Sequence, residues 1–340
     1  MNKKVSIIVP CFNGEYFVDR CLHSIEIQNY PDIEIVVVND GSTDQSEAKI
    51  LGWKKRLENK GICLIYIKQK NQGSGSAINT GLKYISGEYL SLLDIDDEYL
   101  QGALSERVEF LENNKDIDVV RSNGWYIRKN GKSLFIYDEY ERRLNNIFTA
   151  LLEGKTNNWA GSYMVRVSSL FKFYPDREIY QSRYGQNLQL LLPLVYKKKC
   201  GFIDKPHMNY NQLENSLTKT TDVNNREKLS LDNARGYQDI RKYMVYLIVR
   251  EKKEQEYFLY LVENAYLRVV MQIASTFKNN YLMKETFSKL TKKNNIQLDD
   301  YIIYCRLIYP QFVPALRLIR KIKSIFKKIK GRKPGGTFRR

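Results

Sequence analysis

The sequence predicts an α/β protein with a mostly parallel sheet, followed by a helical C-terminal region. In the first hundred residues, short β-branched and apolar runs alternate with segments of helical periodicity, which is typical of strand–helix–strand units around a parallel sheet. From about residue 224 onward, helical periodicity dominates. The chain has 340 residues and is 43% apolar, so it can form one large domain with an accessory part.

The predicted elements of the first hundred residues follow one another in regular order. Short apolar runs predict strands at 5–9, 33–38, 64–68 and 89–93. The run at 33–38 is apolar at nearly every position, as expected of a strand buried on both faces. Helices are predicted at 17–28, from 42 onward and at 76–85. Ser42 followed by Gln45 fits a capping box at the start of the second helix.

Beyond residue 100 the patterns are weaker. They predict a helix at 104–113, strands at 119–128 and 133–137 joined by an Asn130-Gly131 turn, and a helix at 185–198 bent by Pro193. Helical periodicity covers 224–277, and a further helix is predicted at 281–293.

Charge and cysteine content narrow the class of protein. Residues 231–340 hold 24 Lys and Arg against 9 Asp and Glu, whereas residues 1–230 hold 31 against 29. An anionic partner surface is therefore expected to face the C-terminal third. Five scattered cysteines without a CxxC pair, and only two histidines, predict neither a zinc cluster nor a disulfide framework. The short N-terminal apolar run, ended by Pro10, predicts neither an export signal nor a membrane span.

Polar or acidic residues follow every predicted strand of the first hundred residues. They are Pro10, Asn13 and Glu15 after the first strand, Asn39, Asp40, Gly41 and Ser42 after the second, Lys70, Asn71 and Gln72 after the third, and Asp94, Asp96 and Asp97 after the fourth. Ligands of open parallel sheets bind beyond the carboxyl ends of the strands. The sequence therefore predicts a polar binding site at this edge.

Three aspartates within four residues repel one another unless a cation or hydrogen-bond donors compensate them. A loop that begins a helix is the alternative interpretation, since acidic residues favour a first helical turn. Convergence with Asp40 and Glu15 favours a hard divalent cation, completed by phosphate oxygens. The nearby Gly73-Ser-Gly75 segment matches neither a dinucleotide fingerprint nor a P-loop, and a tight turn before a helix is expected there.

Three spaced blocks carry a resemblance to a known family: VSIIVPCFNGE, VVVNDGSTD and NQGSGSAINTGLKYISGEYLSLLDIDDEY. They resemble family 2 of the inverting glycosyltransferases, closely over residues 3–100 and loosely over about 157–218. The resemblance implies a Rossmann-like nucleotide-diphospho-sugar transferase fold of type A and an enzyme of the bacterial surface-polysaccharide type. The implied domains are a catalytic domain at 1–222, with a nucleotide-binding half at 1–100 and an acceptor half at 101–222, a helical region at 223–300, and a basic tail at 301–340.

The resemblance also implies roles for site residues. Pro10, Asn13, Glu15 and Asp40 would line the base and ribose pocket, and Asn71 is assigned to the same donor site. Asp96 would hold a Mn²⁺ or Mg²⁺ that bridges the diphosphate, with Asp94 nearer the ribose. The donor would be a nucleotide-diphospho-sugar, expected to be a UDP-sugar, and the acceptor a glycan or lipid-linked glycan. A carboxylate base would deprotonate the acceptor hydroxyl while the sugar inverts.

Some positions depart from the family pattern. Ile78 stands where the family usually has an arginine, and Leu213 where a histidine is often found. The base commonly lies in a Gly-Glu-Asp-like motif, but this chain has Gly185-Gln186-Asn187, whose amides cannot accept a proton at neutral pH. The base is therefore unassigned. The nearby carboxylates by sequence are Asp97, Asp176 and Glu178.

The basic tail at 301–340 contains twelve Lys or Arg and no acidic residue. Apolar residues recur at helical spacing at Leu316, Ile319, Ile322, Phe326 and Ile329. This pattern predicts a basic amphipathic helix that lies on an anionic membrane surface, with the protein cytoplasmic and peripheral on the inner face of the cell membrane. A helix packed on the catalytic domain and a nucleic-acid patch are the alternatives, and no nucleic-acid partner is expected.

Three other functions are compatible with parts of the sequence. A nucleotidyltransferase shares the α/β layout but would need a glycine-rich loop with a basic residue after the first strand. A non-catalytic sugar-nucleotide-binding protein is suggested by Gln186 and Asn187. The hypothesis of a nucleic-acid-binding protein rests on charge alone, and it predicts a steeply salt-dependent affinity for nucleic acid.

Overall fold

The computed structural model describes residues 3–144, 146–212 and 225–330. The chain divides into two units. The first consists of Met1–Thr221 and Gly236–Val262, and the second of Asp222–Arg235 and Glu263–Arg340.

Nine strands of the described residues form one sheet in the first unit. They are β1 (Val5–Cys11), β2 (Ile33–Asn39), β3 (Cys63–Lys68), β4 (Tyr89–Leu92), β5 (Glu98–Tyr99), β6 (Val119–Arg128), β7 (Gly131–Leu134), β8 (Tyr163–Arg166) and β9 (Gly201–Asn211). Their order is β3-β2-β1-β4-β8-β6-β9-β5, and β7 pairs with β6. The predicted α/β class is thus confirmed.

The first four strands are parallel, which brings their carboxyl ends to one edge. Val5 of β1 is in register with Ile33 of β2 and with Tyr89 of β4. All seven residues of β2 are buried, as its near-continuous apolar run predicted. Beyond β4 the sheet becomes mixed, because β8 is antiparallel to both β4 and β6 while β9 is parallel to β6.

Helices cover both faces of this sheet. They are α1 (Val18–Glu26), α2 (Ser46–Glu58), α3 (Ser74–Tyr84), α4 (Ser105–Asn113), α5 (Glu139–Arg142), α6 (Phe148–Glu153), α7 (Val167–Phe173) and α8 (Gln186–Val195). Successive residues of a strand point to opposite faces. In β1, accordingly, Ile7 packs in one hydrophobic cluster and Ile8 in the other.

Two local predictions were wrong. Helix α2 begins at Ser46, and no capping box joins Ser42 to Gln45. The Ser42 hydroxyl instead accepts a hydrogen bond from the Asn13 backbone N–H. The hairpin strand, predicted at 133–137 after an Asn130-Gly131 turn, is Gly131–Leu134; Gly131 already pairs with Arg128, so the turn residues are Lys129 and Asn130.

Five further helices of the described residues follow: α9 (Arg226–Ile248), α10 (Lys252–Thr276), α11 (Asn280–Lys292), α12 (Leu298–Ile308) and α13 (Val313–Lys330). In the second unit, a small apolar core includes Leu267, Met271 and Leu290. Beside it, Arg268 forms an ion pair with the buried Asp300 at 3.1 Å. The predicted helical C-terminal region is confirmed. No helix within the described ranges is long and apolar enough to cross a membrane.

Candidate active site

The loops after β1 and β2 are joined by hydrogen bonds at the carboxyl edge of the sheet. The side-chain oxygen of Asn13 accepts from the backbone N–H of Thr43 at 2.9 Å. Glu15 accepts from the N–H of Gln45 at 2.9 Å. Pro10, near the end of β1, pairs with Val38 of β2. The structure therefore brings Pro10, Asn13 and Glu15, predicted from the sequence, to this edge.

Asp40 binds the turn that leads into α3. Its Oδ1 accepts from Gln69 Nε2 at 2.7 Å and from the Gln72 N–H at 3.0 Å, and its Oδ2 accepts from the Gly73 N–H at 2.8 Å. A carboxylate can accept about four hydrogen bonds, so these three leave capacity for a further donor. Asp40 itself is buried at the end of β2.

The glycines at this edge allow close backbone approach. Gly41 has φ +77°, and a Cβ there would lie 2.8 Å from the backbone nitrogen of Asn71. A Cβ on Gly75 would lie 2.5 Å from the carbonyl oxygen of Ser182. The loops after β2 and β3 therefore meet at Asn71, and the start of α3 lies against the segment before α8.

An acidic turn, defined here as residues 94–97, follows β4. The N–H of Asp97 donates to the carbonyl of Asp94 at 2.9 Å, which closes the turn. The Asp97 carboxylate accepts from the Asn211 N–H at 2.8 Å, and the Asn211 side chain donates to the Asp96 carbonyl at 2.9 Å. The guanidinium of Arg20 donates to the same carbonyl. Contacts from β9 and α1 thus hold the turn.

Burial disfavours negative charge throughout the acidic turn. Burial, with a smaller effect of Asp96, raises the pKa of Asp94 to about 7. Burial also raises the pKa of Asp96, and it raises that of Asp97, to which Asp94 and Asp96 add. The structure therefore concentrates carboxylates where their charges are costly without a cationic partner.

The acidic turn fits a hard divalent cation. The Oδ2 atom of Asp97 is buried and has no hydrogen-bond partner among the described residues. Nowhere in residues 3–144, 146–212 or 225–330 do three His, Cys, Asp or Glu side chains stand as a ready metal cage. Mg²⁺ and related ions are commonly held by only one or two carboxylates together with substrate phosphates, and this donor set matches that arrangement.

The start of α8 also lies at this edge. Gln186 donates from Nε2 to Ser74 Oγ and to the Ser182 carbonyl, both at 3.0 Å. Asn187 accepts from the hydroxyl of the buried Tyr163 at 2.7 Å. These two amides have defined partners, and neither can act as a base.

Of the three carboxylates suggested as bases, only Asp97 lies in the acidic turn. Glu178 forms an ion pair with Lys83 at 2.5 Å, in the last turn of α3. Helix α3 begins at the site edge and is about 15 Å long, so its last turn lies at the opposite edge of the sheet. Asp176, two residues before Glu178, is exposed. The structure does not bring these two to the site.

Aromatic residues beside the acidic turn were not anticipated from the sequence. Burial and the charges of Asp97, Asp94 and Asp96 raise the pKa of Tyr210. Tyr210 stacks on Trp159 with ring centroids 4.8 Å apart. Alternation along β9 would have placed Tyr210 on one face of the sheet, but no pattern pointed to Trp159, which precedes a four-residue strand.

Some predictions fall outside the described residues. Leu213 and residues 331–340 of the tail are among them, and so are the side chains of Ile322, Phe326 and Ile329. Of the predicted apolar stripe, Leu316 is half-buried and Ile319 is 43% exposed.

Comparison with known proteins identifies similar sequences. A family model described as glycosyl transferase family 2 matches residues 6–179. Glycosyltransferase GlyA of Streptococcus pneumoniae is 31% identical over 193 residues, which cover 54% of this chain and 26% of GlyA. The minor teichoic acid biosynthesis protein GgaB of Bacillus subtilis is 34% identical over 122 residues, 35% of this chain and 13% of GgaB. The chain thus spans a minor part of these relatives' length.

Solved structures share the fold. Residues 1–349 of S. aureus TarS match with a TM-score of 0.59 and 19% identity, over 94% of this chain and 87% of the TarS chain. The mannosyltransferase PcManGT from Pyrobaculum calidifontis, solved with GDP-Man and Mn²⁺, matches with a TM-score of 0.54 and 13% identity, over 95% of this chain and 85% of that chain. At such identities the likeness concerns the fold, and it confirms the predicted fold class.

Proposed function

The chain belongs to glycosyl transferase family 2, and on that premise we propose that it transfers a sugar from a nucleotide-diphospho-sugar to a glycan or lipid-linked glycan acceptor, with inversion. The acidic turn at the carboxyl ends of the parallel strands carries this proposal, because it suits a diphosphate held through a cation. TarS has been solved with UDP-GlcNAc and with UDP, which supports a UDP-sugar as the donor. GgaB, named for teichoic acid biosynthesis, supports a role in cell-surface polysaccharide synthesis.

The donor would lie across the loops that follow β1, β2 and β4. Asn13, Glu15 and Asp40 would position the nucleoside, and the spare acceptor capacity of Asp40 suits an N–H of the base. Asp96, with Asp94, would hold the divalent cation that neutralises the departing nucleoside diphosphate. Arg20 and Asn211 hold the backbone of the acidic turn through the Asp96 carbonyl.

The acceptor side would lie toward α8. Gln186 and Asn187 can orient an acceptor hydroxyl by hydrogen bonding, but a carboxylate must take its proton. Of Asp97, Asp176 and Glu178, only Asp97 lies in the acidic turn, but it is buried and burial raises its pKa, so the base stays unassigned.

A second candidate function is non-catalytic binding of a sugar nucleotide. The amides of Gln186 and Asn187 at the usual place of the base favour it. Both functions predict binding of UDP or a UDP-sugar, and only the first predicts turnover.

Peripheral attachment to an anionic membrane is proposed for the tail. Helix α13 exposes apolar side chains, with Leu318 at 59% and Ile319 at 43%. Arg317, Arg320 and Lys321 are exposed on the same helix. Exposed apolar and basic residues on one helix suit the interface of an anionic leaflet, where lipid-linked acceptors lie.

An assay of UDP release tests the proposal. The full chain is incubated with UDP-GlcNAc, UDP-glucose or UDP-galactose and Mn²⁺, with and without extracted cell-envelope glycan. Metal-dependent UDP release supports the transferase, and radiolabel incorporated into the glycan identifies transfer. Tight UDP binding without any release under these conditions would instead support the non-catalytic function.

A further inference from the structure

Four aromatic residues line the acceptor side of the acidic turn. This set, called here the aromatic row, consists of Trp159, Tyr210, Tyr237 and Tyr184. Trp159 and Tyr210 stack with an interplanar angle of 26°. Tyr184 and Tyr237 have ring centroids 5.7 Å apart. Asp94 contributes to the raised pKa of both Tyr210 and Tyr237, after burial as the first cause, so both phenols lie beside the acidic turn.

Close packing of glycines holds the row in place. A Cβ on Gly236 would lie 2.1 Å from the ring of Tyr184, and a Cβ on Gly185 would lie 2.7 Å from Ile240. Glycine within a helix costs about 1 kcal/mol relative to alanine. In α9 this glycine allows the Tyr184 ring to lie directly against the helix backbone, next to Tyr237. The indole of Trp159 is fixed in turn by a 2.8 Å hydrogen bond to the hydroxyl of Tyr126.

The sheet order separates the aromatic row from the nucleoside side. Strands β1 and β2, which carry Asn13 and Asp40, lie on one side of β4. Strands β6 and β9 lie on the other side, and Tyr210 belongs to β9. The acidic turn follows β4, between the two. A ligand on the row would therefore reach the sugar end of a donor whose base lies over β1 and β2.

We propose that the aromatic row binds pyranose rings of the acceptor glycan, an inference that rests on the proposed function. Aromatic side chains offer rigid apolar faces on which the C–H face of a pyranose ring can stack. A polyol phosphate chain suits this place less well, because its open chain presents no ring face to the aromatic side chains. Arg241, the cation beside Tyr237, is half-buried and donates to the Leu151 carbonyl. The row therefore selects neutral sugar rings.

Saturation-transfer NMR with three probes tests the proposal: cellohexaose, maltohexaose and chitohexaose at millimolar concentration. The full chain is expected to bind at least one of them through the C–H protons of the rings. Tyr237→Ala and Tyr184→Ala should each weaken this binding about fivefold or more, as expected for the loss of one stacked ring. Gly236→Ala, which displaces the Tyr184 ring, should weaken it as well. Tyr257→Ala is the matched control, since Tyr257 is 55% exposed on α10 and lies outside the row.

UDP binding, measured in parallel, reports separately on the donor site. Unchanged UDP affinity in the row variants, with reduced hexaose binding, supports the proposal. Equal hexaose binding by Tyr237→Ala, by Tyr184→Ala and by the unaltered chain would show that stacking on the row plays no part. Binding of none of the hexaoses, or stronger binding of an oligomeric ribitol phosphate, would also overturn it. If the unaltered chain neither bound UDP nor turned over a UDP-sugar, the result would instead contradict the proposed function.

Discussion

The carboxylate of Asp40 accepts a hydrogen bond from the backbone N–H of Gly73 at 2.8 Å, across the ends of β2 and β3. Asp40→Ala should therefore leave the N–H groups of Gln72 and Gly73 without an acceptor, and it should also remove the proposed acceptor for the base. We expect UDP affinity to fall about tenfold and the free energy of unfolding to fall by about 1–3 kcal/mol. Titration with UDP and urea unfolding measure the two effects. Reduced stability with unchanged UDP affinity would limit Asp40 to holding the turn.

Asp96→Ala is expected to lower metal-dependent turnover about a thousandfold, because Asp96 is the proposed contact to the cation. The fold should persist, since removing one of three neighbouring carboxylates relieves repulsion. Mn²⁺-dependent UDP release and thermal unfolding check both statements. The matched control is Asp116→Ala, because Asp116 is exposed and its carboxylate forms a surface ion pair with Lys199 at 3.7 Å. Turnover equal to that of the unaltered chain would exclude the assigned role.

The first four strands were predictable because each is a short run rich in apolar residues, and three of them, β1, β2 and β4, are almost fully buried. The acidic turn was predictable too, since carboxyl ends of parallel strands share an edge. In contrast, Ser42 and Gln45 matched a capping pattern but do not form a capping box. The Ser42 hydroxyl instead accepts from the Asn13 N–H, and the Gln45 N–H donates to Glu15, both on another loop. Local patterns could not include those partners.

The acceptor side was least predictable. Strand β8 has four residues and pairs antiparallel with β4 and β6, so its partners, rather than its own pattern, define it. Tyr184 and Tyr237 meet because Gly236 allows a close approach between elements distant in sequence. Glu178 was a candidate base only because it is near Gly185-Gln186-Asn187 in the sequence. In the structure it forms an ion pair with Lys83 at the far edge of the sheet.

His207 should make folding sensitive to acid. Its side chain is fully buried, and burial lowers its pKa to about 4, below the value of about 6.5 in an unfolded chain. Between these values the unfolded chain binds a proton that the folded chain does not. Stability contributed at this site is therefore lost as the pH falls from about 6.5 to about 4.

His207→Gln removes this titration and keeps a donor for Glu106, which His207 Nε2 contacts at 3.1 Å. Relative to this variant, the unaltered chain should lose up to about 3 kcal/mol of unfolding free energy between about pH 7.5 and about pH 4.5. Urea unfolding of both proteins across that range measures the difference. Parallel pH profiles would mean that the pKa of His207 is the same in the folded and the unfolded chain.

Helix α13 should attach the protein to anionic membranes. Its exposed Leu318 and Ile319 can enter the interface, while nearby basic residues each add about 1 kcal/mol of attraction. The apolar contribution is not screened by salt, whereas the electrostatic one is. Binding to vesicles that contain phosphatidylglycerol should therefore fall substantially, but not to zero, as salt is raised. Neutral phosphatidylcholine vesicles should bind the full chain only weakly.

Truncation after Tyr309 tests the attachment, because it removes α13 and the rest of the basic tail. Vesicle binding should be lost, and UDP binding should persist, since the residues assigned to the donor belong to the first unit. Val313 is buried, so a milder variant is needed. Leu318→Ser with Ile319→Ser keeps the helix, and it should weaken sedimentation with anionic vesicles severalfold. Leu51→Ser, at an exposed leucine of α2, is its control. Unfolding of the truncated chain, or loss of its UDP binding, would place α13 in the structural core and contradict the membrane role.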